Sequence, residues 1–120
     1  MKNKEIKDFF QYDYTRLVLL TGGQTTDINL KDKSRFNYYQ NVFNVVWLAI
    51  HELENTPQHP FKRLIIERHI NRVPLKDMEK RIKFGSNATN RKNNEALKSF
   101  ASLLIQEQIA NNVYPLLEFE

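Results

Sequence analysis

The chain has 120 residues, 41% of them apolar and 12% aromatic, which is enough to bury the core of one domain and argues against wholesale disorder. It contains no cysteine, which excludes disulfides, thiolate nucleophiles and cysteine-based zinc fingers and is typical of a cytoplasmic protein. No run approaches the roughly 20 apolar residues of a membrane span, and charged residues rather than a signal-peptide core follow Met1, so we expect no membrane association.

The net charge of +4 is distributed unevenly along the chain. Residues 1–55 carry seven positive and seven negative side chains, and residues 102–120 carry three glutamates and no cation. Residues 56–101 carry eleven Lys and Arg against four Asp and Glu, which leaves a charge of +7. A basic block of this kind is the electrostatic footprint of a nucleic-acid-binding surface.

The first predicted element is an amphipathic helix over residues 4–20, where apolar residues recur at intervals of three and four. An extended strand over Tyr12–Leu20 is the alternative for its second half. Gly22-Gly23 ends the pattern, and residues 24–34 have the composition of an exposed loop rather than of a packed element. We expect residues 1–33 to form a helix and a loop that pack on the body of the protein.

A long helix is predicted over residues 34–54, with Ser34 as its N-cap. The helix carries the only tryptophan, and its apolar face is expected to be the spine of the core. That face consists of Phe36, Tyr39, Phe43, Val46, Trp47, Ile50 and Leu53.

Two shorter helices are predicted next, as the first part of a DNA-binding unit over residues 60–105. One follows the turn between Pro57 and Pro60 and closes at Asn71-Arg72. The other has Pro74 in its first turn and stops at Phe84-Gly85.

The third helix of this unit is predicted to begin at a cap provided by Ser86 or Asn87 and to run through Ile105 toward Ile109. Its second half is apolar and its first half is polar. A DNA-recognition helix needs this asymmetry, because one end must be anchored in the core while the other presents polar side chains to the groove. Residues 106–120 are expected to be a tail, in which Pro115 argues against continued helix.

The polar start of the third helix supplies the candidates for reading bases, because asparagine pairs with the N6/N7 edge of adenine and arginine with the O6/N7 edge of guanine. The alternative is that this run only caps the helix and covers solvated surface. The base-reading candidates are Asn87, Thr89, Asn90, Arg91, Asn93 and Asn94. The candidates for phosphate contacts, which set affinity and register, are Lys62, Arg63, Arg72, Lys76, Lys80, Arg81, Lys83 and Lys92.

Residues 50–104 also resemble a known family, the phage ArpU and RinA transcriptional regulators with their sigma-70 region-4-like helix-turn-helix. The resemblance implies control of phage or prophage late genes. The predicted elements themselves indicate an all-α fold, a small helical domain with a C-terminal helix-turn-helix. The resemblance is carried by His51–Glu54, Lys62–Ile70, Leu75–Ile82, the Gly-Ser turn at 85–86, and Asn94–Ala101.

Catalysis and metal binding are not expected. His51, His59 and His69 are eight and ten residues apart, which matches no compact ligand motif. The carboxylate pairs Glu52/Glu54 and Asp77/Glu79 are two residues apart, so on a helix their side chains point to different sides. We therefore predict a protein that is not an enzyme and that needs neither metal nor cofactor.

Two other function classes compete with transcription control. One is the small subunit of a phage terminase, which also couples a helix-turn-helix to an oligomerising helical region, although little sequence follows residue 105. The other is a protein-protein module that binds RNA polymerase. The expected partners are double-stranded DNA and, because one helix reads few base pairs, a second copy or host RNA polymerase. The N-terminal aromatics and the segment Leu116–Phe119 are the candidate surfaces for such a partner.

Overall fold

The computed structural model describes residues 3–119, and in that range the chain forms helices and no β-strand, which confirms the predicted all-α class. Three of the helical segments follow one another without a break, as do two others later, so residues 3–119 form five continuous helices. In chain order the segments are α1 (Asn3–Asp8), π1 (Phe9–Asp13), α2 (Tyr14–Thr21), α3 (Arg35–Glu52), α4 (Phe61–Arg63), π2 (Leu64–Ile70), α5 (Leu75–Ile82) and α6 (Ser86–Ala110).

The first continuous helix, from α1 through π1 to α2, confirms the helix predicted over residues 4–20 and excludes the alternative strand. It ends at Gly22, whose φ of 70° is a left-handed conformation that glycine adopts without steric cost. Its apolar side presents two phenylalanines and a tyrosine to the core. The buried residues are Ile6, Phe9, Phe10, Tyr14 and Leu17.

Helix α3 begins where the sequence predicts, because the Ser34 side chain accepts a hydrogen bond from the Asn37 backbone N–H at 3.2 Å. It ends at Glu52, two residues before the predicted boundary. The assignment of Phe36 to the core face is wrong, since its side chain is 57% exposed. Phe36 lies in the first turn, and the buried part of α3 starts only at Asn41.

The segment 24–34 has no regular structure, as predicted, but two buried asparagines of α3 hold it in place. Asn44 accepts from the Thr26 backbone N–H at 2.9 Å and donates to the Thr26 hydroxyl at 3.1 Å. Asn41 donates to the Asn29 carbonyl at 2.7 Å and accepts from the Asn29 N–H at 3.1 Å. These bonds give the backbone of Thr26 and Asn29 partners on α3, and the segment is otherwise exposed apart from the half-buried Ile28, as predicted.

The core lies where α3 packs against both α2 and α6. Aromatic rings connect the first helix to the last: the centroids of Phe10 and Phe100 are 4.8 Å apart, and those of Phe9 and Phe100 are 6.0 Å apart. Phe10, Phe43 and Phe100 are among the largest fully buried side chains. Among the helices formed by residues 3–119, none has the length and apolar character needed to cross a bilayer.

Helix α6 continues five residues beyond Ile105, and the tail after Ala110 folds back on the body of the protein. The buried Gln108 side chain accepts from the Leu117 N–H at 2.8 Å and donates to the Leu117 carbonyl at 3.2 Å. Phe119 packs edge-on against Phe9, with ring centroids 5.7 Å apart. The two surfaces predicted to bind a partner, the N-terminal aromatics and Leu116–Phe119, therefore pack largely within the fold.

Candidate nucleic-acid interface

Helices α5 and α6 are joined by the short turn Lys83–Gly85. Met78 and Ile82 anchor α5 in the core, which leaves Lys76 and Lys80 exposed on its other side. Lys83 ends α5 with a φ of 61°, a left-handed conformation in which a side chain is strained. The N-cap of α6 is Gly85 and makes no side-chain cap bond, so the prediction that Ser86 or Asn87 caps this helix is wrong.

One face of the first half of α6 is formed by Asn87, Asn90, Arg91 and Asn94. Counted from Asn87, the other three follow at three, four and seven positions, which places all four on one side of the helix. The first three side chains are exposed and Asn94 is partly exposed. Within residues 3–119 none of the four side chains has a hydrogen-bond or ion-pair partner. Four of the six predicted base readers are thus together on an open face, which we call the polar face of α6.

The other two predicted base readers, Thr89 and Asn93, lie on the opposite side of the helix and are buried, at 0% and 3% exposure. The Thr89 hydroxyl donates to the Phe84 carbonyl at 3.2 Å, and the Asn93 side-chain oxygen is 2.8 Å from His69 Nε2. A buried side chain cannot reach a base edge, so their assignment as base readers is corrected. The sequence spacing already indicates that they are buried. Thr89, Asn93 and the buried Ala96 follow one another at intervals of four and three residues, which places them on the same side of the helix.

The bond between His69 and Asn93 links π2 to α6 directly behind the polar face. Burial lowers the pKa of His69 to about 4, and the positive charges of Arg68 and Lys7 act in the same direction against the raising effect of the Asn93 bond. At neutral pH the imidazole is therefore uncharged, and its protonated Nε2 donates to Asn93 while Nδ1 carries no proton. The Phe10 ring lies 5.6 Å away, centroid to centroid. His69 therefore has a structural role behind the polar face.

Two of the predicted phosphate contacts, Arg63 and Arg81, are held by one carboxylate. Each guanidinium lies 2.5 Å from an oxygen of Glu67, and Arg63 also donates to the Arg81 carbonyl at 2.9 Å. Burial raises the pKa of Glu67, but the hydrogen bonds and charges of Arg81 and Arg63 outweigh it, so the net shift is downward. This cluster joins π2 to α5, which gives both arginines a role inside the fold.

Two further phosphate candidates, Lys92 and Arg72, also have contacts inside the chain. The Lys92 ammonium is 3.7 Å from Glu95 and 5.8 Å from the centroid of the Phe84 ring. Arg72 donates to the Gln11 carbonyl at 3.2 Å, which connects the π2–α5 turn to π1. In the described part of the chain the remaining four candidates have no ion-pair partner: Lys62, Lys76, Lys80 and Lys83.

An open concavity between α5 and α6 brings the two candidate sets together. It is lined by Lys76 and Glu79 of α5 and by Ser86, Asn87 and Asn90 of α6. A lysine predicted to contact phosphate therefore faces the same space as two asparagines predicted to read bases. The Glu79 carboxylate lies in the same space, so the positive charge of this surface comes from the lysines around the concavity rather than from its lining.

A carboxylate pair that the sequence analysis missed lies at the far ends of α3 and α6. Burial and a hydrogen bond with Glu52 raise the pKa of Glu107, whose side chain also accepts from Asn111 at 3.2 Å.

Across residues 3–119 no three His, Asp or Glu side chains are placed to hold a metal ion together. His59 instead lies 3.0 Å from Glu54, in the turn that joins α3 to α4.

Comparison of the chain with protein-family models found no match, and comparisons with curated proteins and with solved structures found none either. The chain is all-helical, and it presents a polar face on α6 beside exposed lysines on α5 and on the turn between the two helices.

Proposed function

We propose that this chain binds double-stranded DNA sequence-specifically through α5, the turn Lys83–Gly85 and the first half of α6, which act as a helix-turn-helix. The exposed lysines draw the protein to the phosphates, and the polar face of α6 enters the major groove. The biological role that we propose is transcription control. The resemblance of residues 50–104 to the phage ArpU and RinA regulators narrows that role to phage or prophage late genes.

The observation that carries the proposal is that the asparagines of the polar face of α6 have no partner within residues 3–119, whereas Asn93 of the same helix and the three asparagines of α3 do. Asparagine is a poor helix former and is favoured at caps and turns, where its side chain bonds to the backbone. Asn37, Asn41, Asn44, Asn93 and Asn111 all make such bonds or bond another side chain. Asn87, Asn90 and Asn94 lie within a helix and make none in the described range. A function outside the chain accounts for them.

The backbone at Lys83 supports the same surface. A left-handed residue at the end of a helix is most often glycine, because any side chain there adds steric strain. This chain has lysine at that position, exposed and beside α6. A phosphate contact by the Lys83 ammonium would explain why the chain tolerates steric strain at this residue.

A single recognition helix reads few base pairs, so we propose that a second copy or host RNA polymerase completes the complex. Phe9 and Phe10 are buried and Phe119 packs on the body, so the exposed side of the first helix is the surface that remains. It carries Tyr12, Leu19 and Leu20, of which Leu19 is 80% exposed.

The proposal predicts that Lys76→Gln/Lys80→Gln weakens binding to every duplex sequence to a similar extent. Each phosphate contact contributes about −0.9 to the slope of log K against log salt, so losing both should reduce that slope by about 1.8. Fluorescence anisotropy with a random-sequence duplex between roughly 50 and 200 mM salt measures this change. The matched control is Lys31→Gln/Lys33→Gln, which removes the same charge from the loop before α3. Equal slopes for the two double variants contradict the proposed surface, and no salt-sensitive binding by the parent favours a protein-interaction module.

Lys83→Gly should separate stability from function. Relief of the left-handed strain is expected to raise the free energy of unfolding by up to about 1 kcal/mol, partly offset by the greater freedom of glycine in the unfolded chain. Binding to duplex DNA should weaken at the same time, because one cation is lost. Asn112→Gly is the control, since Asn112 is also left-handed, with a φ of 56°, and lies beyond the other end of α6. Urea unfolding and DNA titration of both variants check the prediction, and unchanged DNA affinity of Lys83→Gly removes Lys83 from the interface.

A further inference from the structure

The polar face of α6 has a composition that specifies which bases it can read. Removing the buried Thr89 and Asn93 from the six predicted readers leaves three asparagines and one arginine. Each asparagine can make a bidentate pair with adenine, and the arginine can make one with guanine. The polar face includes no methyl-bearing side chain suited to the thymine methyl group and no carboxylate suited to the cytosine amino group.

The spacing of these residues sets the length of DNA that they can cover. From Asn87 to Asn94 the helix advances seven residues, or about 10 Å at roughly 1.5 Å per residue. Successive base pairs are about 3.4 Å apart, so this face covers about three to four base pairs. Arg91 lies between Asn90 and Asn94 along this length.

We infer that α6 recognises an adenine-rich half-site of about four base pairs, with adenines opposite Asn87, Asn90 and Asn94 and one guanine opposite Arg91. This inference rests on the proposed function and specifies its substrate. The buried side of the helix fixes the register, because the bonds of Thr89 to Phe84 and of Asn93 to His69 hold α6 at one rotation about its axis. With the rotation fixed, no other side chains of residues 87–94 can replace these four on the open face.

The test is selection of binding sites by the full chain from a pool of random duplex DNA. The expected result is an enriched motif with two or three adenines and one guanine within about four consecutive base pairs. Enrichment of a motif dominated by guanine and cytosine overturns the inference while leaving sequence-specific DNA binding in place. Salt-sensitive binding without any motif overturns it as well. Absence of salt-sensitive binding to every duplex instead defeats the proposed function itself.

Two substitutions then assign individual bases. Asn90→Ala is expected to relax the preference at one adenine by about tenfold or more, with little change in affinity for random DNA. Arg91→Gln is expected to convert the guanine preference to adenine, because glutamine pairs with adenine as asparagine does. Both positions are exposed, and alanine and glutamine are good helix formers, so circular dichroism should show an unchanged fold.

Gln106→Ala is the matched control for these variants. Gln106 also carries an exposed amide on α6, but it lies twelve residues beyond Asn94, about 18 Å along the helix. Its replacement should leave the selected motif and the affinity unchanged. If Asn90→Ala and Arg91→Gln select the same motif as the parent and as Gln106→Ala, this face does not read the bases and the inference is overturned.

Discussion

Replacing Phe100 with alanine is expected to lower the free energy of unfolding by about 3–5 kcal/mol, which is the usual cost of truncating a buried phenylalanine. Phe100 is fully buried in α6, and its ring lies 4.8 Å from that of Phe10 and 6.0 Å from that of Phe9, centroid to centroid. The cavity left by the substitution would separate the first helix from the helix that carries the proposed DNA-binding face. Urea unfolding followed by circular dichroism measures the change.

The control for Phe100→Ala is Leu19→Ala, in the first helix, where the side chain is 80% exposed. An exposed substitution of this kind should change the unfolding free energy by no more than about 0.5 kcal/mol. If Phe100→Ala costs as little as Leu19→Ala, then the two helices do not share the core described here. The comparison uses only the unfolding free energies of the two variants, so a change in the solubility of Leu19→Ala does not affect it.

The second large effect is a loss of stability in mild acid that depends on His69. The pKa of His69 is about 4 in the folded protein, lowered chiefly by burial, against an ordinary value of 6.5. Between these two pH values the unfolded chain binds a proton that the folded chain does not, so stability falls as pH decreases. The contribution of the neutral His69 to the unfolding free energy is fully present only above about pH 6.5. It should fall by about 2 kcal/mol between pH 7 and pH 5.

His69→Gln tests this prediction, because a glutamine amide does not titrate and can still donate to Asn93. The unfolding free energy of the parent and of the variant should be measured at pH 7, 6 and 5, and the variant should show the shallower dependence. The carboxylates that titrate at lower pH contribute equally to both proteins, so the difference between the two curves reports His69. Parallel curves contradict a buried, neutral imidazole at this position.

The charge cluster around Glu67 illustrates how far sequence reasoning extends at this surface. The pair Arg63 and Glu67 is visible in the sequence, because residues four apart are neighbours on a helix. The bond from Glu67 to Arg81 is not visible, since it joins two helices separated by a turn. Charge alone makes both arginines candidates for phosphate contact, whereas in the described part of the chain lysines such as Lys76 and Lys80 have no ion-pair partner.

The error at Thr89 and Asn93 has a different origin. Their polar side chains suggested a reading surface, but their spacing to Ala96 and Phe100 already followed the buried stripe of α6. A polar residue on an apolar stripe can be buried when a partner satisfies it, and here the partners are the Phe84 carbonyl and the His69 ring. The same reasoning explains why Asn41 and Asn44 of α3 are buried against the loop.

The features that depend on local interactions could be predicted from the sequence: the all-helical class, the approximate ends of the helices, the cap at Ser34 and the concentration of positive charge in residues 56–101. Helix propensity, capping and charge are properties of neighbouring residues, so they can be read without knowing the fold. Which side of α6 is open, and which cations of the described residues have no ion-pair partner, depends on the packing of the helices. Those properties depend on what packs against each side chain, and residues distant in the sequence, such as His69 for Asn93 and Glu67 for Arg81, supply that packing.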